Sequence, residues 1–240
     1  MSVMLKKKTF FLKNLGSILK IHKGRLPKTK AQSLAEVAIS LPLLLFVFSS
    51  MIEFGFLINT YLSLQDATRA AARYYANSVP FEIENEGLPT QKIIFENQFP
   101  IDVANFVIEV LEPEAEGYAV RRIEVDGTRD NILVSVVSVD VDEEATPPTI
   151  KTITRYPVGS EYYYRFNNPP IPPSAYNDDN IIKYMTANDS TPVDAGLLII
   201  EIYYGYEGTI GLPWTQPFFS PDNPAMLYAS TIMPLVSAKP

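Results

Sequence analysis

The chain has 240 residues, of which 47% are apolar and 20% are charged. It is therefore long enough for one or two folded domains, and a wholly disordered chain is not expected. It contains no Cys and a single His, His22, which excludes disulfide frameworks, thiol chemistry, cysteine-bound metals and histidine clusters. The formal charge of −7 is an average over two unlike parts.

The basic residues are concentrated at the N-terminus. Residues 1–31 hold nine of the twenty Lys and Arg and no acid, which gives a formal charge of +9. The other eleven bases and all 27 acids lie from Glu36 onward and give −16. A cationic head, an apolar run and an acidic body form a pattern typical of membrane proteins. The basic flank predicts a cytoplasmic N-terminus, where it faces anionic lipid rather than nucleic acid.

An apolar run follows the basic segment. Val37 to Leu62 contains one residue that is charged at neutral pH in water, Glu53, and about 20 apolar residues in a helix cross a bilayer core. We expect a transmembrane helix within residues 32–58, spanning Val37 to Ile58, with a bend at Pro42. A cleavable secretory signal is the alternative. The long basic region and the absence of a following small-residue cleavage site count against it.

Residues 59–78 are predicted to continue this helix as an amphipathic segment. Asp66, Arg69 and Arg73 share one side. The other side is an apolar stripe that consists of Leu57, Tyr61, Leu64, Thr68, Ala71 and Tyr75. This stripe needs a packing partner, and residues 79–240 are the candidate. Arg69 and Arg73 are either a solvated helix face or contacts to an acidic partner, and neither residue indicates catalysis.

The segment from Ala31 to Ala76 resembles a known family. It joins a small residue, Ala31, and Glu36 five positions later to an apolar run with the sequence LPLLL. A second glutamate follows in the IEFG sequence at residues 52–55, and then a helix rich in Ala and Arg. This combination is similar to the TadE-like pilus-assembly proteins, which are minor pseudopilins of the bacterial tight-adherence (Flp, type IVb) pilus.

The resemblance implies a precursor that prepilin peptidase cuts between Ala31 and Gln32, with Ala31 in place of the Gly that is usual in the family. The basic leader, residues 1–31, would be removed, and Glu36 would become the fifth residue of the processed chain. The implied partners are prepilin peptidase, other pilin or pseudopilin subunits with their assembly machinery, and membrane lipid. The implied location is the bacterial cytoplasmic membrane, as a single-pass protein with an extracytoplasmic C-terminal domain, or the pilus itself.

Two glutamates are candidates for assembly and helix packing. The resemblance implies that the Glu36 carboxylate neutralises the new amine at Gln32 of a neighbouring subunit; alternatively, Glu36 stabilises a helix start through the helix dipole. Glu53 lies in the outer half of the predicted span, where a charge costs about 2.5 to 3.5 kcal/mol or more, so we expect it to be protonated or paired. Glu53 either contacts another subunit or reaches the outer membrane interface, where it has no specific partner.

The chain from Ser78 is predicted to be extended, which gives an α+β protein. A long N-terminal transmembrane and amphipathic helix precedes a β-rich, mainly antiparallel extracytoplasmic domain at residues 79–240. The predicted strands are Asn105 to Leu111, Tyr118 to Val125, Ile132 to Val139, Glu161 to Phe166, Leu197 to Tyr206 and Met226 to Leu235. The third of these is apolar on both faces and is therefore predicted to be central. The last two resemble the final strand pair of the TadE-like family.

The remaining segments of this domain are predicted to be loops. Pro and Tyr crowd residues 147–176, which indicates a long surface loop that either contacts a partner or covers the core. The acidic runs Asp140 to Glu144 and Asn177 to Asn180 lack the spaced ligands of an EF-hand. We therefore favour solvated loops over calcium sites and expect no metal or cofactor.

The sequence indicates no enzyme. It has no P-loop, paired-glycine fingerprint or nucleophile elbow, so scattered carboxylates are the remaining candidate catalysts. We expect a non-enzymatic minor pseudopilin that acts in the assembly or structure of a pilus used in adhesion or secretion. The alternative is an uncleaved, single-pass, membrane-anchored extracellular binding module.

Overall fold

The computed structural model describes residues 28–87, 89–113, 122–157, 163–166, 173–187 and 190–236. The helices are α1 (Lys28–Tyr75), α2 (Gln98–Leu111) and α3 (Asp178–Met185). The strands are β1 (Phe81–Glu84), β2 (Lys92–Phe95), β3 (Asn131–Asp142), β4 (Thr149–Tyr156), β5 (Tyr163–Tyr164), β6 (Ala195–Tyr206) and β7 (Ala225–Leu235). Most of the predicted leader, residues 1–27, lies outside this description.

The chain divides into two compact units, Met1–Ser50 and Met51–Pro240, and α1 contributes to both. In the first unit the described side chains from Gln32 to Phe48 are exposed, although most of them are apolar. From Gln32 onward α1 is long and apolar enough to cross a membrane. This helix and the antiparallel sheets that follow it confirm the predicted α+β class.

The main sheet of the second unit is antiparallel, in the order β4-β3-β6-β7, and β5 also pairs with β3. Strand β3 is central because its Val, Ile and Leu side chains are buried on both faces. This confirms the prediction for Ile132 to Val139. Strands β6 and β7 pair from Gly196 opposite Leu235 to Tyr206 opposite Ala225, so the two predicted final strands are neighbours.

Each face of the sheet has its own apolar core. On one face, Ile132 and Ile200 pack with α1 through Leu64 and with α2 through Val103. On the other face, the core contains Val137, Val139, Val141, Leu197, Ile199 and Ile181 of α3. Burial of apolar area contributes about 25 cal/mol per Å², so the helices and the sheet stabilise one another.

Helix α2 corrects the prediction of a strand at Asn105 to Leu111. That run is rich in Val, Ile and Phe, which favours strands. The spacing of the buried apolar residues, however, is helical and begins before Asn105. Phe99, Val103 and Val107 are buried at intervals of four residues, which is the spacing of one helix face. Pro100 lies in the first turn, where a helix tolerates proline because the backbone N–H has no partner there.

Other predicted segments also differ from the structure. Strand β4 lies inside the predicted loop 147–176, of which residues 158–162 and 167–172 are outside the described parts. The predicted strand Tyr118 to Val125 is not a strand in its described part, Arg122–Val125. The predicted extended region also contains α3. The acidic run Asn177 to Asn180, predicted to be a loop, forms the N-terminus of this helix. The Asn177 side chain accepts a hydrogen bond from the Asn180 N–H and so caps the helix.

The two ends of the β-rich region meet. After α1, the chain leaves through Ala76, and after β7 it reaches Val236. The backbone N–H of Val236 donates to the carbonyl of Ala76 at 3.1 Å. The part of the chain that forms the sheets and the helices α2 and α3 therefore begins and ends beside the C-terminus of α1.

Candidate functional site

The C-terminal half of α1 packs on the sheet through the later part of the predicted apolar stripe, whereas Tyr61 of that stripe is exposed. Leu64, Thr68 and Ala71 are fully buried. Gln65 Nε2 donates to the carbonyl of Ser230 at 2.8 Å, and the hydroxyls of Thr68 and Thr231 lie 2.9 Å apart. Ala67, Ala71 and Ala72 are buried in the core that α1 shares with the sheet, and the two hydrogen bonds fix the register of the helix on β7.

The opposite face of this helix carries the arginines that were candidate partner contacts. Arg69 and Arg73 are exposed. Arg69 Nη1 lies 3.9 Å from Asp66 Oδ1, and both side chains are more than half exposed, so this pair adds little to stability. A contact of Arg69 or Arg73 with another protein remains a prediction.

Glu53 is completely buried, with 0% of its surface exposed. Its Oε1 accepts hydrogen bonds from the Tyr206 hydroxyl at 2.5 Å and the Thr209 N–H at 2.6 Å, and its Oε2 accepts from the Ile210 N–H at 3.0 Å. We call this arrangement of Glu53, Tyr206, Thr209 and Ile210 the Glu53 clamp. Because every named neighbour donates, the set matches an acceptor-only carboxylate.

A glycine and an aromatic ring complete the Glu53 clamp. Gly208 has φ +88°, and a Cβ there would meet the Phe219 Cβ at 3.1 Å and Glu53 Oε1 at 3.3 Å. The left-handed conformation turns the backbone so that the next two N–H groups point at the carboxylate. The Phe219 ring lies edge-on to Phe54 of α1, at 5.9 Å, and to Tyr206, at 5.6 Å.

The Glu53 clamp lies within one chain and tests neither sequence-based interpretation of this residue, so a contact with another subunit and a position at the outer interface remain predictions. Within the described residues, Glu53 binds the loop after β6 of its own chain. Two weak signals in the sequence mark this loop: Gly208, two residues after the end of β6, and a charge-free stretch from 208 to 221. Neither signal indicates that the loop folds back on a helix residue 150 or more positions away.

The predicted processing site lies at the start of α1. Ala31 and Gln32 both belong to the helix. Gln32 Nε2 donates to Glu36 Oε1 at 3.2 Å, and the Ser40 hydroxyl donates to the Glu36 carbonyl. Glu36 is exposed. The roles assigned to Ala31, Gln32 and Glu36 are not tested by this geometry and remain predictions.

A second buried glutamate was not a sequence candidate. Glu201 of β6 is 1% exposed. It accepts hydrogen bonds from the Ser174 hydroxyl, from the Ala175 N–H at 2.9 Å and from the Tyr228 hydroxyl at 2.7 Å. We call these four residues the Glu201 clamp. Burial, together with the hydrogen bond to Glu201, raises the pKa of the Tyr228 hydroxyl well above its usual value, so this hydroxyl keeps its proton and donates.

A charged cluster fastens the end of β6 beside the Glu53 clamp. Asp130 is fully buried, and its Oδ1 accepts from Arg129 Nε at 2.9 Å and from the Gly205 N–H at 2.8 Å. The hydrogen bond to Asp130 raises the pKa of the Arg129 guanidinium. Arg129 also pairs with Glu207, the residue before Gly208.

Among the residues that the structure describes, no group of three or more His, Cys, Asp or Glu could hold a metal ion.

The family model for TadE-like protein matches residues 31–73. The match covers the segment that carries the resemblance described above and confirms that resemblance. It suggests involvement in the tight-adherence pilus system and contact with other components of that system. No curated protein and no solved structure matches the chain significantly.

Proposed function

We propose that the chain is a non-enzymatic minor pseudopilin. It inserts into the bacterial cytoplasmic membrane with its N-terminus in the cytoplasm, is cut by prepilin peptidase between Ala31 and Gln32, and acts in the assembly or structure of a tight-adherence pilus. The family match over residues 31–73 carries this proposal. It begins at the proposed processing residue and extends through the apolar helix into the part of α1 that packs on the sheet.

Two features of the structure support an assembly role. The exposed apolar side chains along α1, from Leu34 to Leu62, suit contact with lipid before assembly and with neighbouring helices afterwards. Glu36 is exposed within this surface, where a charged group is costly in lipid and gains from an ionic partner. The Gln32 amine of a neighbouring subunit would be that partner.

Processing is tested by the mass and N-terminal sequence of the protein purified from bacterial membranes that contain prepilin peptidase. The expected chain begins at Gln32. Ala31→Gly, which restores the residue usual in the family, should be processed as well as the parent, and Ala31→Phe should remain intact. An intact parent chain of 26.9 kDa contradicts the proposal and favours the uncleaved, membrane-anchored binding module instead.

The role of Glu36 is tested by following incorporation into sheared pili. Glu36→Leu should be processed normally but be depleted from the pilus fraction. Glu84→Leu is the matched control, because Glu84 is also exposed but lies outside the family match. Normal incorporation of the Glu36→Leu chain would contradict the assigned role.

A further inference from the structure

The loop between β6 and β7 is unusual in length and composition. It runs from residue 207 to 224, whereas most hairpin loops have two to five residues, and long loops are commonly functional. Residues 208–221 contain no charged side chain, although charged residues make up 20% of the chain. The part from 208 to 219 is called the aromatic loop here because it contains Trp214, Phe218 and Phe219.

The aromatic loop is an ordered element. The Thr215 N–H and hydroxyl both donate to the Leu212 carbonyl at 2.9 Å, and the N–H groups of Phe218 and Phe219 donate to the Thr215 carbonyl at 2.9 Å. Thr215 is buried, with 4% exposed. These turns leave the large rings on the outside: Phe218 is 65% exposed and Trp214 is 39% exposed.

The Glu53 clamp holds this loop beside an exposed apolar stretch of α1. The neighbouring helix side chains that face outward are Met51, Ile52, Phe54, Ile58, Tyr61 and Leu62. Glu53 lies five residues before Ile58, where the predicted span ends, so it is roughly 8 Å below that end at 1.5 Å per residue. Amphipathic elements at a membrane interface bury their apolar side to a similar depth, roughly 5 to 10 Å.

We propose that the aromatic loop lies in the membrane interface on the side of the folded domain, with Trp214 and Phe218 in contact with lipid. Trp is enriched at this level of membranes because its ring is amphipathic. Irregular backbone at membrane depth requires internal partners for its polar groups. The Glu53 carboxylate supplies them for Thr209 and Ile210, and the two N–H groups in turn satisfy the carboxylate.

Lipid is favoured over a protein partner because the loop adjoins the exposed apolar surface of the candidate membrane span. The loop is bonded to a helix segment whose exposed neighbours are themselves apolar and belong to the candidate membrane span, so lipid that surrounds these neighbours also reaches the loop. The absence of charge over 14 consecutive residues fits lipid, whereas interfaces between proteins usually carry a polar rim.

The test uses Trp214, which is the sole tryptophan of the chain. The full chain is reconstituted in phosphatidylcholine vesicles that contain a lipid with a quenching doxyl group either near the headgroup or near the end of the acyl chain. We expect the shallow label to remove roughly half of the Trp214 emission and the deep label to remove less, as an interfacial ring requires. Aqueous acrylamide should quench weakly. Quenching by acrylamide alone, or by neither agent, overturns the proposal; the second result would indicate cover by protein.

A variant tests the contribution of the Glu53 clamp. Glu53→Leu keeps the helix apolar but removes the acceptor for Tyr206, Thr209 and Ile210, so quenching of Trp214 by the shallow label should fall and quenching by acrylamide should rise. Unchanged quenching would contradict the role of the clamp in placing the loop. Far-ultraviolet circular dichroism establishes that the variant is folded, and Trp214→Phe combined with Phe218→Trp repeats the measurement at a second ring. The inference requires α1 as a membrane anchor but not the pilus role, so a failure of Ala31 processing leaves this test unaffected.

Discussion

The Glu53 clamp and the Glu201 clamp use the same chemistry in two different settings. In each, a fully buried carboxylate accepts hydrogen bonds from a loop N–H and from a tyrosine hydroxyl. Glu201 lies in β6, within the sheet, and fixes the segment at residues 174–175. Glu53 lies on a helix with exposed apolar neighbours and fixes the aromatic loop. Burial of a carboxylate costs several kcal/mol unless its partners are in place, so each glutamate selects one position for its loop.

The largest effect is expected at Glu201. Glu201→Ala should lower the free energy of unfolding by about 3 kcal/mol, because it leaves buried donors without an acceptor beside the central strands. Urea unfolding of the full chain in detergent, followed by far-ultraviolet circular dichroism, measures this change. Glu201→Gln keeps the shape and should cost less. An alanine variant as stable as the parent would show that the clamp does not stabilise the sheet.

Glu53→Gln should produce a more local effect. The amide NH₂ group cannot accept from a loop N–H, so we expect the aromatic loop to open while the sheet remains folded. Hydrogen exchange at the amides of Thr209 and Ile210 should become about 10-fold faster or more. Glu201→Gln is the control and should leave these two amides unchanged. Equal acceleration in both variants would mean that the two clamps are not independent.

The contribution of Gly208 can be separated from backbone strain by a matched pair. Gly208 and Gly87 both have positive φ, +88° and +78°, but a Cβ at Gly87 meets nothing within 4 Å. Gly208→Ala should therefore destabilise more than Gly87→Ala, by about 1 kcal/mol, because the new methyl group crowds Phe219 and Glu53. Urea unfolding of both variants measures the difference. Equal losses would indicate that only the backbone conformation matters.

Glu112 is another carboxylate that accepts hydrogen bonds, but it is only partly buried, so we expect its contribution to stability to be smaller than those of Glu53 and Glu201. Burial opposes its ionisation, but hydrogen bonds from the Val125 N–H and from Arg122 outweigh this and lower the pKa of Glu112. A lowered pKa in the folded state adds stability above the unfolded-state pKa, and this stability is lost as the pH falls through the folded-state value. Glu112→Gln should cost about 0.5 kcal/mol at neutral pH, with the difference from the parent vanishing in acid. A difference that persists in acid would rule out ionisation as its cause.

Periodicity in the sequence is sufficient to predict the elements that have a single strong hydrophobic pattern. The apolar run of α1, the stripe of Leu64 and Ala71, and the doubly apolar β3 could all be predicted, because burial determines those residue types directly. Helix α2 is hard to predict because Pro100 interrupts the pattern of its first turn and its Val-rich second half by itself favours a strand. Strand β4 was missed because prolines flank it on both sides.

The candidate site was less predictable than the fold. The sequence indicated that Glu53 is costly in an apolar helix, but its donors come from backbone N–H groups of Thr209 and Ile210, and any residue except proline supplies such a group. Glu201 stands in the GLLIIEIYYGY run as a single acid among strand formers, and its burial depends on Ser174 and Tyr228 from two other segments. Contacts of this kind depend on tertiary structure, which local patterns do not contain.

The bond between Val236 and Ala76 has a mechanical consequence. The β-rich region is attached to the end of α1 at both of its own ends, and it is also bonded along the side of the same helix by Gln65, Thr68 and the Glu53 clamp. A pull on the N-terminal part of α1 is therefore shared among several attachment points. The hydrogen bonds along the helix must break before the force is carried by the peptide link at Ala76 alone and stretches the strands.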